Sequence, residues 1–173
     1  MTLAELLIAM LIMAVLLGST LTFLESAART VGTSSKEIQS LDGARVALAR
    51  IEHELRVASV VQQTGSCPTT ATCLVMTVPV AGGTQGVRYR YDTDAKTLYR
   101  AIGDPLLDTW GAEAPAVRDV VNGASVAVFC RSNITCTTPS EVGATQIVLR
   151  INTDPTHPSQ VFELRSYVTP RNL

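Results

Sequence analysis

Four cysteines carry the most distinctive chemistry of this chain, and they occur as two copies of one spacing, Cys67…Cys73 and Cys130…Cys136. Thr, Ser, Asn or Pro residues flank each copy, which is typical of loops. An even cysteine count in a chain directed to a membrane favours disulfides formed outside the cytoplasm, although four cysteines allow three connectivities. A zinc site is the alternative, but structural zinc ligands usually come as tight CxxC-like pairs. We therefore expect disulfides, and local pairing is the simplest choice.

The other polar side chains give little support to an enzyme. His53 and His157 are the only residues that could act as bases near neutral pH, and both are expected to be solvated surface residues. Asp92, Asp94 and Asp104 could be proposed as a calcium cluster, but acids at these positions are more typical of turns. The sequence thus predicts no catalytic residue, no metal site and no cofactor.

Glu5 is the one charged side chain in the first 24 residues, MTLAELLIAMLIMAVLLGSTLTFL. About 20 apolar residues suffice to cross the hydrocarbon core of a bilayer, so residues 1–24 are predicted to span a membrane. A secretory signal peptide is the alternative, but it would need a positively charged start, and neither Lys nor Arg precedes this run. A carboxylate inside such a span costs several kcal/mol unless it has a partner, which suggests that Glu5 has a function.

The next segment changes from uniformly apolar to amphipathic. Apolar residues recur at helical spacing from about Ser35 to Ala58, with charged residues between them: Ile38, Leu41, Leu48, Ile51, Leu55 and Ala58 form the stripe. Residues 25–34 contain Gly32, which is followed by the hydroxyl residues Thr33, Ser34 and Ser35, so one helix with a weak joint and two separate helices are both compatible with the sequence. A continuous helix over residues 1–58 would be roughly 87 Å long. Its first half must then find lipid, or the same helix of other subunits.

The remainder, residues 59–173, is predicted to be a β-rich head. Val87–Tyr91 and Thr97–Arg100 flank an Asp92-Thr93-Asp94 turn and read as a hairpin, and residues 74–78, 125–129, 146–151 and 161–168 read as further strands. Residues 104–115 read as a loop, with at most a short helical turn. The predicted fold class is α+β, with one long helix packed through its stripe on an antiparallel sheet. The segments are residues 1–24 in the membrane, residues 25–58 in the amphipathic half of the helix and residues 59–173 in the head.

The charge of the chain argues against a function in nucleic-acid binding. The chain has 14 basic and 15 acidic residues and a formal net charge of −1. Strong nonspecific binding to nucleic acid requires a basic surface, so no nucleic-acid partner is predicted.

The first ten residues, MTLAELLIAM, resemble the mature N-terminus of the type IV pilin family. That pattern is a hydrophobic first residue, Thr, Leu, a small or apolar residue, Glu, and then a long apolar run. The chain departs from it in having Met1 where Phe is more common, and Thr22 where many members have a proline. The residues around Thr22 are weak helix formers, so local unwinding on assembly is possible without proline.

The resemblance implies a role for the site residues Met1 and Glu5. In this family the Glu5 carboxylate pairs with the free α-amino group of residue 1 of an adjacent subunit, which sets the stagger between neighbouring helices. It also implies that a prepilin peptidase has removed a short basic leader and that the new amine at Met1 is methylated. More weakly, the hairpin and the closing Pro170-Arg171-Asn172-Leu173 are similar to larger minor pilins and to J-type minor pseudopilins of type II secretion.

The resemblance implies a structural function as a subunit of an extracellular filament. The expected partners are copies of the chain, related pilins and an inner-membrane assembly platform, with the chain in the inner membrane before assembly and at the cell surface after it. A low-copy subunit at the filament tip, either a minor pilin or a pseudopilin, is the first alternative. A membrane-anchored extracellular binding module is the second.

Overall fold

The computed structural model describes residues 2–62, 72–123, 126–131, 144–154 and 159–171, without the side chains of residues 33, 34, 62 and 131. The chain divides into two compact units, Met1–Ile38 and Gln39–Leu173. The fold is α+β, as predicted: one long helix is followed by antiparallel strands.

Helix α1 runs without interruption from Leu3 to Val57. The sequence left open whether residues 25–34 divide it, and they do not. The helix is rich in Leu, Ala and Met, which are strong helix formers, and this preference outweighs the cost of about 1 kcal/mol for a glycine such as Gly32. In the first unit the described side chains are exposed, apart from the half-exposed Glu37.

In the second unit the helix buries one face. Ile51 and Leu55 are fully buried, and Ala44, Ala47 and Leu48 lie on the same face. Complete burial of an Ile or Leu side chain stabilises a fold by roughly 1.5–3 kcal/mol, so this face contributes strongly to the head.

The predicted stripe is correct for Leu48, Ile51, Leu55 and Ala58, but its beginning is not. Ile38 is 61% exposed, and Leu41 is only partly buried. The helical period continues toward residue 38, but the first residue of the helix that is fully covered by the head is Ala44.

The first sheet has six strands: β1 Val60–Gln62, β2 Cys73–Val80, β3 Gly83–Asp92, β4 Thr97–Asp104, β5 Thr109–Trp110 and β6 Ala114–Val117. The first five follow one another in space, and β6 also pairs with β4. All pairs are antiparallel, and Val87 lies opposite Met76 on one side and Ile102 on the other. The predicted hairpin is therefore confirmed as β3 and β4.

Side chains from the helix-facing side of this sheet complete the main core. Met76, Val87, Tyr89 and Leu98 are almost completely buried and belong to one cluster with Ile51 and Leu55. Alternate residues of β3 point to the opposite face, which places Arg88 and Arg90 on the side away from the helix.

A second sheet contains three antiparallel strands, β7 Phe129–Arg131, β8 Thr145–Ile151 and β9 Phe162–Val168. The central strand β8 is almost entirely buried, and a bridge between Val120 and Ile151 connects it to the chain that follows β6. Asn122 strengthens this connection, since its side chain donates to the Val148 carbonyl and accepts from the Arg150 N–H.

Three sequence-based expectations need correction. The head contains two sheets rather than one. Residues 104–115 are not simply a loop, because β5 and the start of β6 lie there and pair with β4. Within the predicted strand 125–129, only Phe129 is in a strand, and residues 124 and 125 lie outside the described part of the chain.

Candidate functional site

The start of helix α1 is a capping box built from Thr2 and Glu5. The Thr2 backbone N–H donates to the Glu5 Oε2 at 2.8 Å, and the Glu5 backbone N–H donates to the Thr2 Oγ1 at 3.4 Å. The carboxylate thereby satisfies the Thr2 N–H at the helix start, whereas the Glu5 N–H is shared between the Thr2 hydroxyl and the Thr2 carbonyl, which lies 3.1 Å away. The Thr-x-x-Glu spacing is visible in the sequence, but its capping role was not recognised there.

The capping box gives Glu5 a role within its own chain. The carboxylate lies in the first turn of the helix and has a partner in its own chain, so it also has a use in a simple anchor helix. Glu5 alone therefore does not distinguish a filament subunit from a membrane-anchored binding module. Met1, the predicted partner of Glu5 between subunits, lies outside the described residues.

Helix α1 is the one helix in the described residues that is long and apolar enough to cross a membrane, and none of its apolar stretch is buried within the chain. Leu7, Leu11 and Phe23 are examples, each more than half exposed. Lipid or other helices are the surroundings in which such a surface would be stable.

Three hydroxyl side chains inside the apolar stretch are satisfied by the helix itself. Ser19, Thr20 and Thr22 each donate to a carbonyl one turn earlier, at 2.8–2.9 Å. Such bonds remove the cost of an unpaired hydroxyl in an apolar environment. The helix is continuous here in the single chain, and unwinding on assembly stays a prediction.

Two of the four cysteines lie in described elements of the head. Cys73 begins β2, Cys130 lies in β7, and both are buried and disulfide-bonded. Cys67 and Cys136 lie outside the described residues, so the local pairing stays a prediction.

A buried ion pair that the sequence did not reveal joins the helix to the first sheet. The Glu54 carboxylate accepts from the Tyr89 hydroxyl at 2.7 Å and from the Arg100 guanidinium at 2.8 Å, and Arg50 adds a contact at 3.2 Å. The Glu54 and Arg100 side chains are only 12% and 14% exposed. Burial, reinforced by the neighbouring Glu54, raises the pKa of Tyr89, so the hydroxyl stays protonated as the donor.

A second cluster lies on the opposite face of the same sheet. The Glu113 carboxylate accepts from Arg88 at 2.9 Å and from Arg90 at 2.6 Å, and the Arg88 guanidinium stacks 4.8 Å from the centre of the Trp110 ring. The hydrogen bond from Arg90 lowers the pKa of Glu113, with the charges of both arginines adding to it. These contacts hold the segment that contains β5 and β6 against β3.

Two of the three aspartates considered for calcium, Asp92 and Asp104, serve as turn formers. Asp92 accepts from the Asp94 and Ala95 N–H groups, and Asp104 accepts from those of Leu106 and Leu107. The Ala95 N–H contributes most to a lowered pKa at Asp92. In the described ranges no three His, Cys, Asp or Glu side chains are grouped as a metal site would require. His53 is exposed, as expected, and His157 lies outside those ranges.

Comparison with known proteins adds no relative: no family model, no curated protein and no solved structure matches this chain.

Proposed function

We propose that this chain is a structural subunit of a type IV pilus-like filament. Before assembly, residues 1–24 lie in the inner membrane. In the filament they pack with the same residues of other subunits to form an apolar core, and the heads lie outside.

The observation that carries this proposal is that one uninterrupted helix supplies both an apolar span and part of the core of the head. Its first part is exposed and apolar, whereas its last part contributes Ile51 and Leu55 to the buried cluster. A binding module held by an anchor needs no such shared element, since a flexible linker would serve. A subunit that must transmit helix packing to the position of its head does need one.

The free energy of assembly depends on the same interactions as the association of helices in lipid. Lipid tails are as apolar as the helix surface, so transfer into the filament core gains little hydrophobic free energy and depends on packing and polar pairing. Glu5 supplies the polar pairing: its carboxylate exchanges the Thr2 N–H of its own chain for the α-amino group of Met1 in a neighbouring subunit. An ion pair replaces a neutral hydrogen-bond donor, which favours the assembled state in a dry core.

Electron microscopy of material sheared from the cell surface tests this proposal directly, combined with N-terminal sequencing of the protein that it contains. We expect filaments in which this chain is a component and its first residue is Met1 with a modified amine. Recovery of the chain only in the membrane fraction, with no filament, would favour the anchored binding module.

A further inference from the structure

Strand β9 is the longest of the edge strands that the structure describes. It forms one edge of the second sheet with seven residues, whereas the strands at the other edges of the two sheets, β1, β5, β6 and β7, have two to four. Neither Pro nor Lys, which often protect an edge from pairing, occurs in residues 160–168. A long, unprotected edge strand is a surface to which another strand can be added.

The hydrogen bonds of β8 show which backbone groups of β9 point to this open edge. The Val148 N–H of β8 donates to the Val128 carbonyl, on the side away from β9. Because direction alternates along an antiparallel strand, the next residue, Leu149, bonds to β9 instead, through Leu164. In the described part of the chain, β9 pairs with β8 alone. The residues whose backbone groups point to the open edge are Glu163, Arg165 and Tyr167.

The side chains of these three residues lie on the outer face of the sheet. Leu164 packs against the main core, so its neighbours in the strand point the other way. The Arg165 guanidinium donates to the Glu163 carboxylate, and the two side chains remain 54% and 33% exposed. The open edge therefore carries one acid and one base, two residues apart and both accessible.

This order of charges makes β9 complementary to a reversed copy of itself. Backbone groups meet across the edge only in registers that pair the odd-numbered residues of the two strands. Registers that set Glu163 or Arg165 opposite its own copy bring like charges together, which destabilises a strand pair. With the two-fold axis at Leu164, each Glu163 lies opposite Arg165 of the second copy, and this happens twice.

The same register suits the opposite face of the strand. Leu164 then lies opposite its own copy at the axis, where its partly exposed side chain gains an apolar neighbour. Phe162, which is 38% exposed, lies opposite the small Ser166 of the second copy. A strongly acidic or strongly basic partner would gain little here, since the edge repels it with one charge as much as it attracts it with the other.

We propose that two copies of this chain associate through their β9 edges, so that the second sheets of two heads become one continuous antiparallel sheet. The interface is isologous, with the same strand used on both sides. It requires only two heads, so it goes beyond the proposed function and does not depend on it.

The test uses the full chain held in nanodiscs by its apolar helix, with one chain in each disc. Donor and acceptor dyes are placed on the scaffold proteins of two disc populations, and energy transfer between the populations measures association of the heads. We expect E163R and R165E each to reduce association by about tenfold, because both Glu–Arg pairs become pairs of like charge. R118E is the matched control, since it makes the same change of charge at an exposed residue of the head and should leave association unchanged.

The two charge variants also test the register when they are mixed. Discs with E163R and discs with R165E should associate with one another as well as wild type does, because every pair across the axis is then again of opposite charge. This recovery would also show that both variant heads are folded. Wild-type association by either variant alone would overturn the proposal, as would a mixture that stays dissociated.

The unaltered chain supplies a second measurement, which needs no variant. Deuterium uptake at the Glu163 and Arg165 amides should slow at disc concentrations that give energy transfer, whereas uptake in β1, an edge of the first sheet, should not change. Energy transfer without slower uptake in β9 would show that another surface associates, and absence of transfer between wild-type discs would favour a strand of a different protein at this edge. Either result overturns the proposal. Filament formation is measured separately, so failure here leaves the proposed structural role unaffected.

Discussion

At the residue scale, the Glu5 carboxylate caps its own helix, and variants can separate this role from its proposed pairing with the amine of a neighbouring subunit. Glu5→Gln keeps an oxygen that can accept from the Thr2 N–H but removes the charge, whereas Thr2→Ala removes half of the capping box and keeps the charge. If the ion pair between subunits drives assembly, Glu5→Gln should sharply reduce incorporation into filaments. Thr2→Ala should assemble nearly normally, because loss of a cap costs only about 1 kcal/mol.

Immunoblotting of sheared filaments and of membranes, in a strain without wild-type subunit, measures both effects. Both variants should still insert into the membrane. Normal filaments from Glu5→Gln together with few from Thr2→Ala would show that capping, and not charge pairing, is the role of Glu5.

The cysteines give a second prediction at this scale. With Cys67 joined to Cys73 and Cys130 to Cys136, each short loop stabilises the head by on the order of 2–3 kcal/mol at most. Trypsin would leave the first pair inside one peptide, residues 57–88, and would link residues 119–131 to residues 132–150. Non-reducing mass spectrometry decides the pairing. A link between residues 57–88 and either later peptide would show that the two halves of the head are joined instead.

At the scale of elements, the Glu54 ion pair should govern how firmly the helix is attached to the first sheet. Glu54→Ala leaves the Arg100 guanidinium and the Tyr89 hydroxyl buried without their acceptor. Breaking a buried pair in this way costs about 3–5 kcal/mol. Glu52→Ala is the matched control, because its contact with Arg56 is 4.0 Å long and exposed and should contribute at most about 1 kcal/mol. Urea denaturation followed by Trp110 fluorescence measures the loss of unfolding free energy in both variants. Similar losses would show that the buried pair stabilises the head no more than the control pair does.

The Glu113 cluster predicts a dependence of head stability on pH. Its arginines lower the pKa of Glu113 from the ordinary value of 4.5, so the unfolded chain takes up a proton before the folded head does. The stabilisation of the head by ionised Glu113 is therefore complete above about pH 4.5, and it is lost as the pH falls through the lower pKa of Glu113 in the folded state. Denaturation midpoints at pH 6 and pH 3.5 should differ less in Glu113→Gln than in wild type. Asp94→Asn, at an acid without an ion pair in the described ranges, should keep the wild-type difference.

Local pattern was enough for some elements and not for others. The β3–β4 hairpin was predictable because both strands and their Asp-rich turn are contiguous in the sequence, and the helix period identified Ile51 and Leu55 as core residues. The partners of Glu54 and Glu113 could not be predicted from local pattern, since Arg100 is 46 residues from Glu54 and Arg90 is 23 residues from Glu113. Strands β5 and β6 were missed because each is short and is stabilised by its pairing with β4.

At the scale of the whole molecule, the number of copies in a filament separates the shaft subunit from the low-copy alternatives. Two features of the sequence favour a shaft subunit: the balanced charge of the head, and an apolar stripe on which identical copies could pack. The second reason fails for the head, because Leu48, Ile51 and Leu55 are buried within it. The first remains, since the head, residues 59–173, has nine basic and nine acidic residues, and so many heads can lie side by side without strong repulsion.

We therefore expect this chain to be abundant in purified filaments, because near-neutral heads and a uniformly apolar exposed helix place no limit on how many copies can associate. Quantitative mass spectrometry with labelled standard peptides measures the ratio of this chain to every other subunit. Residues 101–118 make a suitable tryptic standard, since trypsin cleaves after Arg100 and after Arg118. A ratio of only a few copies per filament would reject the shaft role. It would place the chain among the minor subunits.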